Sequence, residues 1–466
     1  MNADYADYAD YDRPALEAWT RGVRRRVSRL HEKLADEAES TYNFPCNVSE
    51  GAPMDLGETK PKVHTTEPFR AQGVMRFEFA EDLIPPEHPA RALWDVLGTL
   101  DLVPFTLSAK ALEGLVGRPV HSVRMLLTLW LYAVATGIGS ARRIARLVET
   151  DPAFRWIVGD VKVSHHLLSQ FRAEQGAALD KLMTELLAVL MAKELISLER
   201  VAQDGTRVRA GASAPSFRSE TAVAECREQA ALHVKAVLAE ADDAEPTLGE
   251  KAARTAAALA YQKRVEAAGA ELAKLKEAGK DKPRASTTDA EARVMKMADG
   301  GYRPAYNVQL AVAGEETGGP RTIVGVQVTN VGSDMSSVTP MLEQIKQRTG
   351  ALPETLLADA NHAAHACIDK ATELGVEVLI PVPKREVKSS AKVSPAVAAW
   401  KERMTTPEAK KKFRARSGLC ELANAQLKGR RGLGQFLVRG LGKVTNVALM
   451  VAIGHNLVQH AESLMG

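Results

Sequence analysis

Beyond Pro283 short apolar runs alternate with segments of helical period, and this alternation restricts the fold more than any other feature of the chain. YNVQLAVAG (306–314) and TIVGVQVTN (322–330) read as two strands joined by the Gly-rich loop EETGG. SSVTPMLEQIKQRTG (336–350) reads as a helix with a Ser cap and a Gly stop. TLLADAN (355–361) is a third strand ending in Asp359, HAAHACIDKATELG (362–375) a helix, and VEVLIPVPK (376–384) another strand. Strands that alternate with helices imply a sheet that is at least partly parallel. Sites in such sheets form outside the carboxyl ends of strands, where Asp359 stands.

Upstream the pattern differs. Residues 81–195 read as helix throughout, with HSVRMLLTLWLYAVAT stopping at Gly137. Ser140 is placed to cap SARRIARLVET, Asp151 or Pro152 to open a short helix, and Ser164 to cap SHHLLSQFRAEQG; a longer helix covers 177–194. Short helices with Gly turns are similar to helix-turn-helix packing. Between Gly117 and Gly176 there are eight Lys and Arg against four Asp and Glu. The helix after Ser164 is expected to offer His165, His166, Gln170 and Arg172 to a DNA groove, the alternative being a helical bundle with a polar face. LERVAQDGTRVRAG (198–211) then reads as a strand carrying Asp204. Residues 218–282 return to helix, with a break at DDAEPTLG that suggests a polar, coiled-coil-like hairpin.

The expected organisation follows. Residues 1–75 form a tail with an amphipathic helix through Leu16, Trp19, Val23, Val27, Leu30 and Leu34, decorated by arginines, and a linker. Residues 76–195 form a helical, DNA-binding domain. A catalytic α/β domain comprises 196–217 and 283–466, and the hairpin 218–282 interrupts it. Lys401 to Lys412 reads as a basic connector, and helices across 413–428 and 443–463 close the chain.

Composition narrows the function classes. The chain has 466 residues and a net charge of only +3, so any nucleic-acid contact must rest on local patches. The longest apolar run, Met125 to Ile138, falls short of the roughly 20 residues that a membrane span needs. The acidic start MNADYADYAD carries no signal-peptide pattern. Cys46, Cys226, Cys367 and Cys420 are far apart with no CxxC, which excludes a sequence-evident zinc finger or disulfide scaffold and fits a reducing, cytoplasmic setting. No GxxxxGK[ST] is present, so no nucleotide cofactor is expected.

Three acids stand out. Asp204 and Asp359 sit on strands, and Glu421 sits on a helix inside a cationic stretch: Thr405 to Asn446 holds ten Lys and Arg against two acids. Carboxylates from separate elements can hold Mg²⁺, a hard ion that prefers oxygen, and two such ions can cleave a phosphodiester. Taken singly, each acid is equally a turn residue, a cap or a surface charge. Asp359, His362 and His365 share a spacing of three, but no further ligands for a transition metal are evident.

The string FRARSGLCELANAQLK resembles a signature of the DDE transposases of bacterial insertion sequences: Tyr, two residues, Arg, three residues, Glu, six residues, Lys. Here Phe413 stands for the Tyr, Arg416 precedes Glu421 by four residues instead of three, and Lys428 follows at the family spacing. RVAQDGTRVRA, STTDAEARVMKMADGGYRPAYNVQ and FLVRGLGKVTNVALMVAIGHNL are also similar to segments of that family, as are EHPARALWDVL and the helical block 121–175, so that the resemblance spans about 80–460. It implies an RNase H-like mixed sheet with flanking helices. It implies Asp204, Asp359 and Glu421 as catalytic, metal-binding residues, with Mg²⁺ as cofactor and Mn²⁺ able to replace it. Lys428 and Arg416 are implied as DNA contacts, and the neighbouring Arg430 and Arg431 are added to them by charge. The implied activity is cleavage at the ends of an insertion sequence and transfer of the 3′-hydroxyl strand into target DNA. The implied partners are double-stranded DNA, as terminal inverted repeats and as target, and further copies of the chain on that DNA; no membrane is expected. A hydrolytic nuclease and a catalytically weakened or silent DNA-binding relative remain as alternatives.

Overall fold

Polar caps start the helices of the first half where the sequence puts them. In the computed structural model, Ser140, Asp151 and Ser164 each accept a backbone N–H of the turn that follows, and Ser122, which the sequence did not single out, does the same. The structure describes residues 78–106, 120–239, 248–315, 318–383 and 393–465. Contacts divide the chain into 1–75 and 76–466, and the account below concerns the second unit. The amphipathic helix expected at 16–34 lies outside the described residues.

The helical block runs α1 (Pro89–Thr99), α2 (Val123–Ala135), α3 (Ala141–Thr150), α4 (Pro152–Val158), α5 (His165–Glu174) and α6 (Gly176–Ala192). Strand β1 (Arg200–Arg209) follows, then the two-residue pairing of β2 (Phe217–Arg218) with β3 (Ala285–Ser286). Between β2 and β3 lie α7 (Glu220–Ala239) and α8 (Leu248–Glu277), packed on each other around Val223, Val265, Ala268 and Leu272. The main sheet adds β4 (Arg293–Lys296), β5 (Tyr302–Glu315), β6 (Gly318–Thr329), β7 (Thr355–Leu357) and β8 (Glu377–Leu379).

The sheet is mixed. β5 lies antiparallel to both β1 and β6, while β7 and β8 continue from β1 in parallel. Ala305 pairs with both Arg209 and Arg293, so β4 extends the β6 side of β5. Helix α9 (Val338–Thr349) connects β6 to β7, and α10 (His365–Glu373) connects β7 to β8. The stretch expected to be a basic connector is instead two helices, α11 (Pro395–Arg403) and α12 (Pro407–Phe413). Each begins with a capping Ser or Thr followed by Pro, Ser394 and Thr406, a start signal that outweighs the surrounding lysines. The chain closes with α13 (Leu422–Arg430), α14 (Leu441–Gln459) and α15 (Ala461–Met465).

One hydrophobic core runs through helical block and sheet alike. Helix α14 joins them. It is long and apolar enough to cross a membrane, but it lies buried between α2, α6 and β6. An edge strand leaves backbone groups unpaired, and α14 covers that of β6: Asn456 accepts from the Ile323 N–H and donates to its carbonyl, both at 2.8 Å. His455 meets the Arg321 carbonyl at 2.8 Å through Nε2, and His460 meets the Thr322 hydroxyl at 2.7 Å.

Burial lowers the proton affinity of both imidazoles, His455 to about 4. The unfolded chain therefore binds protons at these sites that the folded chain refuses. Stability is complete above about pH 6.5 and declines as pH falls toward 4, by about 2–3 kcal/mol through His455. Urea unfolding at pH 7 and pH 5 should show this loss, and His455→Gln should flatten it.

Candidate active site

β1 and β7 pair in parallel with Ala202 opposite Leu357. Two residues further along each stand Asp204 and Asp359, so the register itself sets the two acids beside each other where β7 ends. Side chains alternate across a strand. Asp204 therefore shares a face with Leu310, opposite the face of Gln203, Gly205 and Arg207. The segment 413–430 covers the Asp204 face.

Asn424 Nδ2 donates to Asp204 Oδ2 at 2.9 Å. Arg416 Nη1 lies 3.6 Å from the other oxygen, Oδ1, and Arg416 Nη2 lies 3.4 Å from Glu421 Oε1. One guanidinium thus spans two of the three expected acids. Arg416 and Glu421 are five residues apart, which on a regular α-helix would turn them about 140° from each other. Ser417–Glu421 instead forms a π-helical turn, whose wider winding returns the fifth residue to the same side. The extra residue in the sequence spacing is absorbed there. Phe413, where the signature has Tyr, retains the ring, 5.9 Å from the Arg416 guanidinium, but has no hydroxyl to donate.

Asp359 caps a 3₁₀ turn, Ala360–His362, with Oδ1 accepting the Asn361 N–H at 3.0 Å. Asn361 Nδ2 donates to Oδ2 at 2.9 Å, and His362 Nδ1 contacts Oδ1 at 2.5 Å. His362 is fully buried, and its Nε2 lies 3.1 Å from Gln309 Oε1. Gln309 Nε2 donates to the Asp334 carboxylate, an acceptor only, so the amide orientation is fixed and His362 Nε2 is the donor to Oε1. His365 turns away and stacks edge-on against Trp400, so the D-x-x-H-x-x-H spacing does not converge on a metal.

Electrostatics push the two strand acids apart. Burial, and then the Asp359 charge, raise the proton affinity of Asp204 against the pull of Arg416. Burial acts in the same direction on Asp359, but the His362 hydrogen bond and charge, the Asn361 amide and Arg416 together outweigh it and hold its carboxyl below the usual range.

Behind Asp359 lies a buried polar layer that the sequence did not reveal. Asp334 accepts from Asn307 Nδ2 at 2.6 Å, Gln309 Nε2 at 2.5 Å and Arg207 Nη2 at 2.9 Å. Gln203 donates to Gln309 Oε1 and to the Ser337 hydroxyl. Ser337 in turn donates to the Asp334 carbonyl, so it does not cap α9 as expected. A Cβ on Gly205 would overlap Gln309 and the Asp334 carboxylate, which is why a Gly follows Asp204 in mid-strand.

The side chains expected to meet DNA divide into two groups. Arg430 and Gln170 are exposed, Gln170 with a hydrogen bond to Glu174. Arg172 is buried, with its guanidinium on the Trp130 face and the Gly139 carbonyl, so it is a packing residue and not a groove contact. Arg431 donates to the Ala135 carbonyl, and Lys428 to the Arg207 carbonyl at 3.1 Å. Lys428 shares a helix face with Glu421 and Asn424 above β1, and burial lowers its proton affinity despite the nearby Asp204.

Two family models match parts of the chain. A transposase domain family (DUF772) matches residues 78–174, and a transposase DDE domain family matches 367–461, the stretch that contains Arg416, Glu421 and Lys428. These matches indicate an insertion-sequence DDE transposase. Asp204 and Asp359 fall outside both matches, so their assignment rests on the resemblance and the geometry. No curated protein and no solved structure gives a match. A transposase family implies DNA as the substrate class, and a divalent metal is typical of DDE transposases.

The donor chemistry suits such an ion. Asp204, Asp359 and Glu421 would offer it hard oxygens, and the buried Asn424 Oδ1 has no hydrogen-bond partner. Among the described residues no three acidic, His or Cys side chains converge closely enough to hold a metal by themselves. Arg416 occupies the space between Asp204 and Glu421.

Proposed function

We propose that this transposase cleaves DNA at the ends of an insertion sequence and joins the 3′-hydroxyl to target DNA, with Asp204, Asp359 and Glu421 holding Mg²⁺ on an RNase H-like core. The observation that carries the reading is the parallel β1–β7 register, which sets Asp204 and Asp359 side by side, with Glu421 presented across from them by a helix. The mixed sheet with α9 and α10 as its crossovers supports the RNase H-like assignment. When bound, the divalent ion supplies an activated water or hydroxyl and charge neutralisation at the leaving oxygen. The protein orients the acids: Asn424 holds one oxygen of Asp204, while Asn361 and His362 hold Asp359. The exposed cations Arg430, Lys410, Lys411 and Arg414 on α12, α13 and the turn between them are suited to the DNA backbone.

The test is Mg²⁺-dependent cleavage and strand transfer on DNA carrying the element's own flanking ends, comparing wild type with Asp359→Ala. Cleavage with joining, lost in the variant, is the expected result. Cleavage without joining would favour a nuclease, and specific binding without cleavage would point to a silent relative. Asn424→Ala should retain the fold and reduce metal-dependent cleavage by about 10–100-fold, the usual effect of removing a partner that orients a ligand. Single-turnover cleavage at saturating DNA measures it.

A further inference from the structure

The acids assigned above to a metal are already bridged by a cation of the chain itself. Arg416 reaches Asp204 Oδ1 with one nitrogen and Glu421 Oε1 with another, at 3.6 and 3.4 Å. These contacts are long. A tight charge-assisted pair measures about 2.7–2.9 Å, and Arg416 Nη1 is buried with no hydrogen-bond partner at all. The guanidinium is therefore attracted to the two carboxylates without being locked to either. It cannot escape by losing its proton, so it leaves only by swinging away. It stands immediately before a π-turn, with the Phe413 ring beside it.

We propose that Arg416 is the resident counter-cation of the metal-free site, and that its guanidinium must withdraw from Asp204 and Glu421 before a divalent ion can be held there. This rests on the reading of those acids as metal ligands. With Arg416 in place, the carboxylates are partly neutralised and their mutual repulsion is relieved. A doubly charged ion on the same oxygens would lie within a few ångströms of the guanidinium, and the two cations exclude each other. Arg416 thus keeps the metal affinity of the free protein low. The released guanidinium is drawn to an anion, and a DNA phosphate provides one, so DNA and metal reinforce each other's binding.

The test is Mn²⁺ binding by the full-length protein without DNA, followed through the electron paramagnetic resonance signal of free Mn²⁺. Arg416→Met should bind Mn²⁺ about tenfold more tightly than wild type, after allowance for solvent screening. Arg416→Lys, which retains the charge but reaches only one carboxylate at a time, should fall between, and it serves if the Met variant does not fold. Arg414→Met removes a nearby exposed charge and should change the affinity less than twofold. Equal or weaker binding by Arg416→Met, or equal strengthening by Arg414→Met, would overturn the proposal. Asp204→Asn separates the two levels of the argument. Mn²⁺ binding that depends on Asp204 but is indifferent to Arg416 sinks the counter-cation alone, whereas no Asp204-dependent binding in any variant sinks the metal site with it.

Discussion

Asp204→Asn should lower DNA cleavage by roughly 10³-fold or more, the scale expected when electrostatic support is removed from a reacting centre, and it should do so without destabilising the protein. The two halves of this expectation have one origin. Asp204 is half-buried beside Asp359, and its net proton affinity is raised in the folded state. A group in that condition opposes folding more as pH rises through its folded pKa, so a neutral isostere removes a liability at pH 7. Asn at 204 still accepts from Asn424. Asp359 has the opposite sign: its carboxyl is held below the usual range, so its ionised form contributes stability above about pH 4 that disappears on acidification. Asp359→Asn should therefore lose both activity and stability. Paired cleavage assays and urea melts at pH 7 decide it, and a Tm for Asp204→Asn well below that of wild type would refute the argument.

Asp334→Ala should be the most damaging single substitution to the fold outside the apolar core, at about 3–5 kcal/mol, because one partner of a buried ionic network is removed while the others stay. Asn307, Gln309 and Arg207 all donate to this carboxylate, and Asn307 and Gln309 are almost wholly buried. Without it, Gln309 is no longer oriented, and Gln309 is what fixes His362 behind Asp359. The variant should therefore also lose cleavage beyond what its unfolded fraction explains. Denaturant unfolding with single-turnover assays at low temperature separates the two losses. Asp334→Asn, which retains the volume and one acceptor, should be milder in both.

The sequence exposed those parts of the molecule that obey local rules. The caps Ser140, Asp151 and Ser164 and the strand periods of β1, β5 and β6 are local signals, and the structure follows them. That Asp204 and Asp359 meet is one step less local; it needs only the inference that β1 and β7 are parallel neighbours. What stayed hidden depends on both faces of the sheet being covered. The alternation in YNVQLAVAG suggests Asn307 and Gln309 facing water, yet β5 is buried on both faces from Pro304 to Ala313, and these amides serve Asp334. Charge is equally ambiguous along a helix. Arg172, Lys428 and Arg431 read as cations for DNA, but each reaches a backbone carbonyl of its own protein. Asn424 carried no signal, because an Asn on a cationic helix looks like solvated surface until Asp204 is placed beneath it.

The π-turn at Ser417–Glu421 also bears on how such a motif changes over generations. A one-codon insertion in a regular helix would rotate everything after it by about 100° and separate Arg416 from Glu421. Here the surplus residue is confined to a single wide turn, and the residues on either side keep their outlook. The distance along the chain between these two residues is therefore free to drift by one while their distance in space is not. Removing Gly418 should let the turn revert to regular winding with the pair still facing, and copies of the motif with either spacing are variants of one geometry.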